Sequence, residues 1–306
     1  MANAKDTYIH AYTLATLPLR KWVHWKLKKK SQVPVASIFL HRIADDYPND
    51  WSMTNAAFDR LIGWLEKNVD LVSLDDAQEL LRTGNRGRMA VNITFDDGYA
   101  DNCLHAIPTL LKKKIPFTYY VTTENVKTGD YFPHDVHGQQ PLAPNTIEEI
   151  KAMSDAGVEI GAHTRTHPDM GTLDRLEDIR DEIDGSRETL EAWTGKRPKH
   201  FAFPYGLQCN LTPASIQHIY DAGFSSYCSA YGGYNFPFDG AFHIQRFHGD
   251  PSLARIRNWL SFDPRWIYTE PVEEYIPDRQ KSHRETESVR WFNSPEKRHT
   301  RSCQDS

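Results

Sequence analysis

Apolar residues recur along this chain in two rhythms. Runs of strand length stand at 33–43, 89–95, 117–122, 158–163, 200–204, 224–229 and 242–247, rich in the β-branched and aromatic residues that suit a pleated, buried surface. Between them the spacing becomes that of amphipathic helices, with Phe58, Leu61, Ile62 and Leu65 at helical intervals in a helix predicted over 55–68. Further helices are predicted over 75–82, 101–114, 146–155, 173–193, 213–222 and 253–260. Seven strands alternating with helices imply βα units and a parallel sheet. No dinucleotide-binding glycine signature follows the early strands. The α/β class is therefore read as a closed or nearly closed, distorted (β/α) barrel of about seven parallel strands, in preference to an open doubly wound sheet. Chemistry in such a barrel sits where strands end and βα loops begin. The stretch 123–145 has five Pro/Gly breakers as well as His134 and His137, and a connection of that length is predicted to cover the mouth.

The flanks follow neither rhythm. Three regions are expected: a basic leader over 1–32, the barrel over 33–271, and a polar, flexible tail over 272–306. The whole chain carries a formal charge of -5, but residues 1–30 hold seven basic groups and one acid, a net +6, which leaves -11 for the rest. An acidic body argues against a nucleic-acid partner. The leader lacks the ordered charged, apolar and cleavage regions of a secretory signal. No run of eighteen apolar residues offers a transmembrane helix. A cytoplasmic location is the expectation. Residues 19–30, with Trp22 and Trp25 among six Lys/Arg, read either as a solvated basic arm or as a peripheral membrane contact. The four cysteines, Cys103, Cys209, Cys228 and Cys303, show neither a CxxC pair nor zinc-ribbon spacing and are read as free thiols.

Three short segments change the picture from fold to chemistry. Asp96 and Asp97 directly follow an apolar strand, so their side chains leave it toward opposite sides: one carboxylate can hold a cation while the other faces a water. An Asp in that place is also a common cap or turn residue, so the pair alone decides little. His163 and His167, after the next-but-one strand, stand four apart. If the segment coils, both imidazoles share a face, and with one carboxylate they make a site for zinc or another borderline divalent ion with positions left open. In Phe203-Pro204-Tyr205-Gly206 a strand runs into a turn, where a backbone N–H released from the sheet can meet a substrate oxygen and Tyr205 can line a pocket.

The order TFDDG (94–98), HTRTH (163–167) and FPYG (203–206) resembles the polysaccharide deacetylase family, the NodB homology domain or carbohydrate esterase family 4, over roughly residues 35–260. The resemblance implies a NodB-type barrel and a divalent metal held by Asp97, His163 and His167, with zinc first and nickel, cobalt, iron or manganese as alternatives. It also implies Asp96 as general base, Pro204 and Tyr205 at the substrate and oxyanion, and hydrolysis of an N-acyl group, typically acetyl, from an amino sugar. Two departures stand out. The family's common third motif has an Arg two residues before the Pro, where this chain has Ala202. The usual closing motif with a general-acid His is not evident near Phe247. Instead Ile38-Phe39-Leu40-His41 is similar to the opening segment of the circularly permuted exopolysaccharide and poly-N-acetylglucosamine deacetylase branch, which implies His41 as the acid, with His248 and His243 as alternatives. Arg246 is read as a substrate-binding or supporting group. The expected partner is an N-acetylated carbohydrate or glycolipid. The competing readings are a metal- or carbohydrate-binding protein without turnover, motivated by Ala202, and a deacetylase or deformylase of a lipid-linked sugar, motivated by the leader. A serine esterase is disfavoured, since no GxSxG is present.

Overall fold

A computed structural model describes residues 4–137, 142–249 and 252–267, together with Pro277. The expected tail over 272–306 lies outside the described residues, Pro277 apart. The strands are β1 (Val35–Leu40), β2 (Arg42–Ile43), β3 (Ser52–Met53), β4 (Asp70–Leu71), β5 (Ala90–Phe95), β6 (Phe117–Val121), β7 (Glu159–Ala162), β8 (His200–Ala202), β9 (Ser226–Cys228), β10 (His243–Ile244) and β11 (Arg246–His248). The main sheet runs β10-β9-β8-β7-β6-β5-β1-β11, with β4 alongside β5, while β2 and β3 form a separate pair. Every pairing in the main sheet is parallel.

The two edge strands of that order, β10 and β11, are separated by Gln245 alone. One short segment therefore pairs with β9 at its start and with β1 at its end, and this brings the sheet round on itself as a nearly closed barrel. It is the seventh of the predicted strands, split in two. β1, β5 and β6 are buried along their whole length, as strands with helices on one side and a filled barrel on the other must be.

The helices are α1 (Ala4–Ala15), α2 (Leu17–Lys29), α3 (Asn55–Asn68), α4 (Leu74–Thr83), α5 (Ala106–Lys113), α6 (Thr123–Thr128), α7 (Pro133–His137), α8 (Ile147–Asp155), α9 (Leu176–Thr194), α10 (Pro213–Asp221), α11 (Leu253–Trp259) and α12 (Pro264–Ile267). Their starts are set by side chains that accept hydrogen bonds from first-turn amides: Thr54 for α3, Ser73 for α4, Thr212 for α10, and a Thr146/Glu149 capping box for α8. The predicted stripe Phe58, Leu61, Ile62 and Leu65 is the buried face of α3. The helix predicted over 101–114 is shorter, because a 3-10 turn at Ala100–Cys103 precedes α5. The loop predicted over 123–145 contains α6 and α7.

Residues 4–29, within the basic leader expected over 1–32, are two helices, and α1 packs on α11. Arg20 is buried and donates to Asn258 O at 2.7 Å and Asn258 Oδ1 at 2.6 Å, while Tyr12 OH reaches Asp263 Oδ1 at 3.0 Å. This inner face rests on one buried arginine and Val23, which is why no apolar stripe betrays it. Among the described cysteines Cys103 and Cys228 are free thiols.

Candidate active site

Because the strands are parallel, their carboxyl ends gather at one end of the barrel. Leu40 and Phe95 pair in register across β1 and β5, so the next residues, His41 and Asp96, emerge side by side. Asp97 follows, and His163 leaves the end of β7, which is reached from β5 through β6.

The turn that presents each ligand has left-handed backbone at a residue other than glycine. Asp97 has φ of 73°, Thr164 62°, His167 61° and Tyr205 58°. Such residues are uncommon and persist only where surrounding structure holds them. The expectation that 163–167 coils as a helix, bringing the imidazoles together by i,i+4 spacing, is not met. The segment is a bent loop, and the left-handed residues Thr164 and His167 turn the two rings toward one another, with centroids 5.1 Å apart. Glu182 of α9, itself buried, clamps the loop by accepting from the backbone amides of Arg165 and Thr166, both at 2.8 Å, and from Thr166 Oγ1 at 2.6 Å.

His163 Nε2 and His167 Nε2 each lie 3.2 Å from Asp97 Oδ1, and one ligand atom from each of the three residues falls within 4.8 Å of the others. Asp97 Oδ1 is buried and has no aligned hydrogen bond. Three converging ligand atoms, two imidazole and one carboxylate, suit a borderline divalent cation. His163 Nδ1 approaches Ala202 O at 2.8 Å, which points the other ring nitrogen toward Asp97, as an outer partner does for a metal-binding histidine. Burial opposes charge on Asp97, yet the imidazoles of His163 and His167 prevail and hold its carboxyl well below the usual range. Burial likewise works against a protonated His163, but Asp97 and Asp96 raise it above its ordinary value.

Asp96 is 3% exposed and Arg246 0%. The guanidinium grips the carboxylate with both arms, Nη1 to Oδ1 at 2.7 Å and Nη2 to Oδ2 at 2.8 Å, and is itself braced by Thr94 Oγ1 at 3.0 Å and Ser229 O at 2.9 Å. Burial would push the Asp96 carboxyl up; Arg246 and His163 more than offset it, and the group titrates below the ordinary carboxylate value. Arg246 comes from β11, which pairs with β1. It stands against Asp96 where Ala202 offers no side chain to do so.

His41 is held through its backbone and that of its neighbours. Its carbonyl accepts from Asn102 Nδ2 at 2.7 Å, and Asn102 Oδ1 accepts from Ile43 N at 2.9 Å. Arg42, fully buried, bonds Asp101 and Asp46. His41 Nδ1 is buried with no hydrogen-bond partner. Burial lowers the His41 imidazole below its ordinary value, against the pull of Asp97 and Asp96. His248 pairs with Phe39 in the ladder and its ring lies 5.9 Å from that of His41. His243 instead stacks on Tyr227 and approaches Ser229 Oγ at 2.8 Å.

Pro204 is buried and Tyr205 exposed, with the Tyr205 ring 5.2 Å from that of His167 in an edge contact. On the other side Phe132, between α6 and α7, meets His167 at 6.5 Å, and Tyr99 OH donates to Asp135 Oδ2 at 2.8 Å. Glu182, Arg42 and Asn102 were not singled out from sequence. The acidic turn of α9 and the Asp-Asn pair after TFDDG are visible there, but nothing in the spacing says which member turns inward.

Residues 83–226 match the family model for polysaccharide deacetylase. A peptidoglycan-N-acetylmuramic acid deacetylase of Bacillus subtilis is 31% identical over 135 residues, 44% of this chain and 44% of its own length. A chitooligosaccharide deacetylase of a Bradyrhizobium species is 30% identical over 123 residues, 40% of this chain and 48% of its own. The chain thus spans about half the length of the curated relatives it matches. Among solved structures, IcaB from Ammonifex degensii superposes with a TM-score of 0.63 at 22% identity, covering 74% of this chain and 97% of that one. The Streptococcus pyogenes deacetylase PplD gives 0.63 at 18% identity, covering 76% and 99%. The solved structures share the barrel, and over residues 83–226, just under half of its length, the chain is similar to the polysaccharide deacetylase family.

Proposed function

We propose that the protein is a divalent-metal-dependent hydrolase that removes an N-acyl group, acetyl in the first instance, from an amino sugar of a glycan. The carrying observation is the convergence of Asp97, His163 and His167 beside an Asp96 carboxylate gripped by Arg246. The relatives' activities on N-acetylated sugars support the same reading.

Asp97, His163 and His167 would hold the cation, zinc first among the candidates, which when bound acidifies a water and polarises an acyl oxygen. Asp96 accepts the proton as the water oxygen bonds to the acyl carbon. Arg246 keeps that carboxylate ionised and fixed in direction, so that proton transfer has a set geometry. The backbone N–H of Tyr205, at a left-handed turn that Pro204 precedes, donates to the developing oxyanion. His41, which follows β1 beside Asp96 at the end of β5, relays to the sugar nitrogen, as the C–N bond breaks, the proton that Asp96 has taken from the water. The products are a carboxylate and a free amino sugar.

The reading without turnover was motivated by Ala202. Arg246 supplies a bidentate guanidinium to Asp96, so the missing motif arginine is no argument for inactivity. The test is acetate release from N-acetylated chitooligosaccharides by protein reconstituted with zinc. Asp96→Asn and His41→Ala should each lower turnover by roughly two to four orders of magnitude, with zinc content unchanged. Stoichiometric zinc and glycan binding with no acetate would favour the binding reading.

A further inference from the structure

Helix α2 has two faces of different character. Arg20 and Val23 are buried, with His24 and Leu27 half-buried beside them. At 100° per residue the opposite face carries Trp22, 48% exposed, and Trp25, 54% exposed. Lys21, Lys26, Lys28 and Lys29 are exposed around them, with Lys26 Nζ 4.9 Å over the Trp22 ring and Lys29 Nζ 3.9 Å over that of Trp25. Leu17 and Leu19 are also exposed on this helix. From residue 7 to residue 44 the sequence contains no acid, in a chain whose net charge is -5. Two further groups extend the patch. Phe238, 57% exposed at φ of 74°, would touch a Cβ placed on Gly84, next to Ser31. Exposed Arg86 donates to Ser31 Oγ at 2.5 Å.

We propose that this surface docks on the anionic interface of a lipid bilayer. Outward tryptophans with flanking leucines fit the headgroup boundary, and a ring of lysines complements acidic headgroups. Among the described residues no helix is long and apolar enough to cross a membrane, so the contact is peripheral. A nucleic acid would match the lysines but leave Leu17, Leu19 and Phe238 without a role.

The placement fixes an orientation. Past α2 the chain joins the amino ends of the strands: Gln32 bridges Asn85, Val33 N donates to Asn85 O, and β1 and β5 begin at Val35 and Ala90. His41, Asp96, Asp97 and His163 follow the carboxyl ends of β1, β5 and β7. The docked face is thus at the end of the barrel opposite the candidate site. With that site read as a deacylase, which the docking itself does not require, the mouth points away from the bilayer. It would then meet a glycan standing off the membrane, not a sugar held at the headgroups.

Cosedimentation of the full chain with phosphatidylcholine vesicles, with and without phosphatidylglycerol, tests the docking. Binding should require the anionic lipid and weaken with salt. Each Lys→Gln change at 21, 26, 28 or 29 should lower affinity about fivefold, and Trp22→Ala with Trp25→Ala at least about tenfold. The tryptophan variant should keep its thermal midpoint and its acetate release from a soluble oligosaccharide, so a failure of the deacylase reading leaves the docking result intact. No partition onto anionic vesicles, equal partition onto neutral ones, or indifference to both tryptophans with tighter binding to an oligonucleotide would overturn it.

Discussion

The buried carboxylate of Asp96 is tolerable only because a buried guanidinium answers it with two hydrogen bonds. Removing one partner of such a pair leaves an uncompensated charge, which costs about 3–5 kcal/mol. Arg246→Met should therefore lower thermal stability by that order, checked by denaturant unfolding, and move the acid limb of the pH–activity profile to higher pH. The sign follows from the depressed folded-state value of Asp96: its stabilising contribution is present above the unfolded carboxylate value of about 3.9 and is lost as pH falls toward the folded one. Without Arg246 the folded value rises, and the base takes up its proton earlier. His163 carries the opposite sign. Its raised value means that a cation must displace a proton, so zinc affinity measured by calorimetry should fall as pH drops through that value, with proton release on binding.

At the scale of elements, the site depends on a loop that a helix holds in place. Glu182 supplies three hydrogen bonds to 165–166, and the left-handed residues Thr164 and His167 persist under that restraint. Glu182→Leu should weaken zinc binding by about 10–100-fold even where the protein still melts cooperatively; unchanged zinc affinity would show that the loop holds itself. The three motifs were legible because each is short and directly follows an apolar run, so strand rhythm places them at one end of the barrel. Their supports were not. Arg246 lies 150 positions from Asp96, and Glu182 is one acid among many on α9. The helical explanation for His163 and His167 gave the right convergence by the wrong backbone, since periodicity carries no sign of positive φ. The seventh strand was legible as a single run, while its division between two edges of the sheet depends on closure, which is a property of the whole.

For the whole molecule, the charge asymmetry becomes spatial. The acid-free stretch begins as α1 and α2 on the barrel's side and amino end and runs on through β1 to His41, at the carboxyl end where the reactive groups collect. The most direct measurement of the central claim is acetate release by the zinc-reconstituted chain compared with Asp96→Asn and with a chelator-stripped sample. Zinc-dependent release, lost by roughly two to four orders of magnitude in Asp96→Asn at unchanged zinc content, is the predicted result. Full activity in Asp96→Asn, or in the stripped protein, would contradict the account.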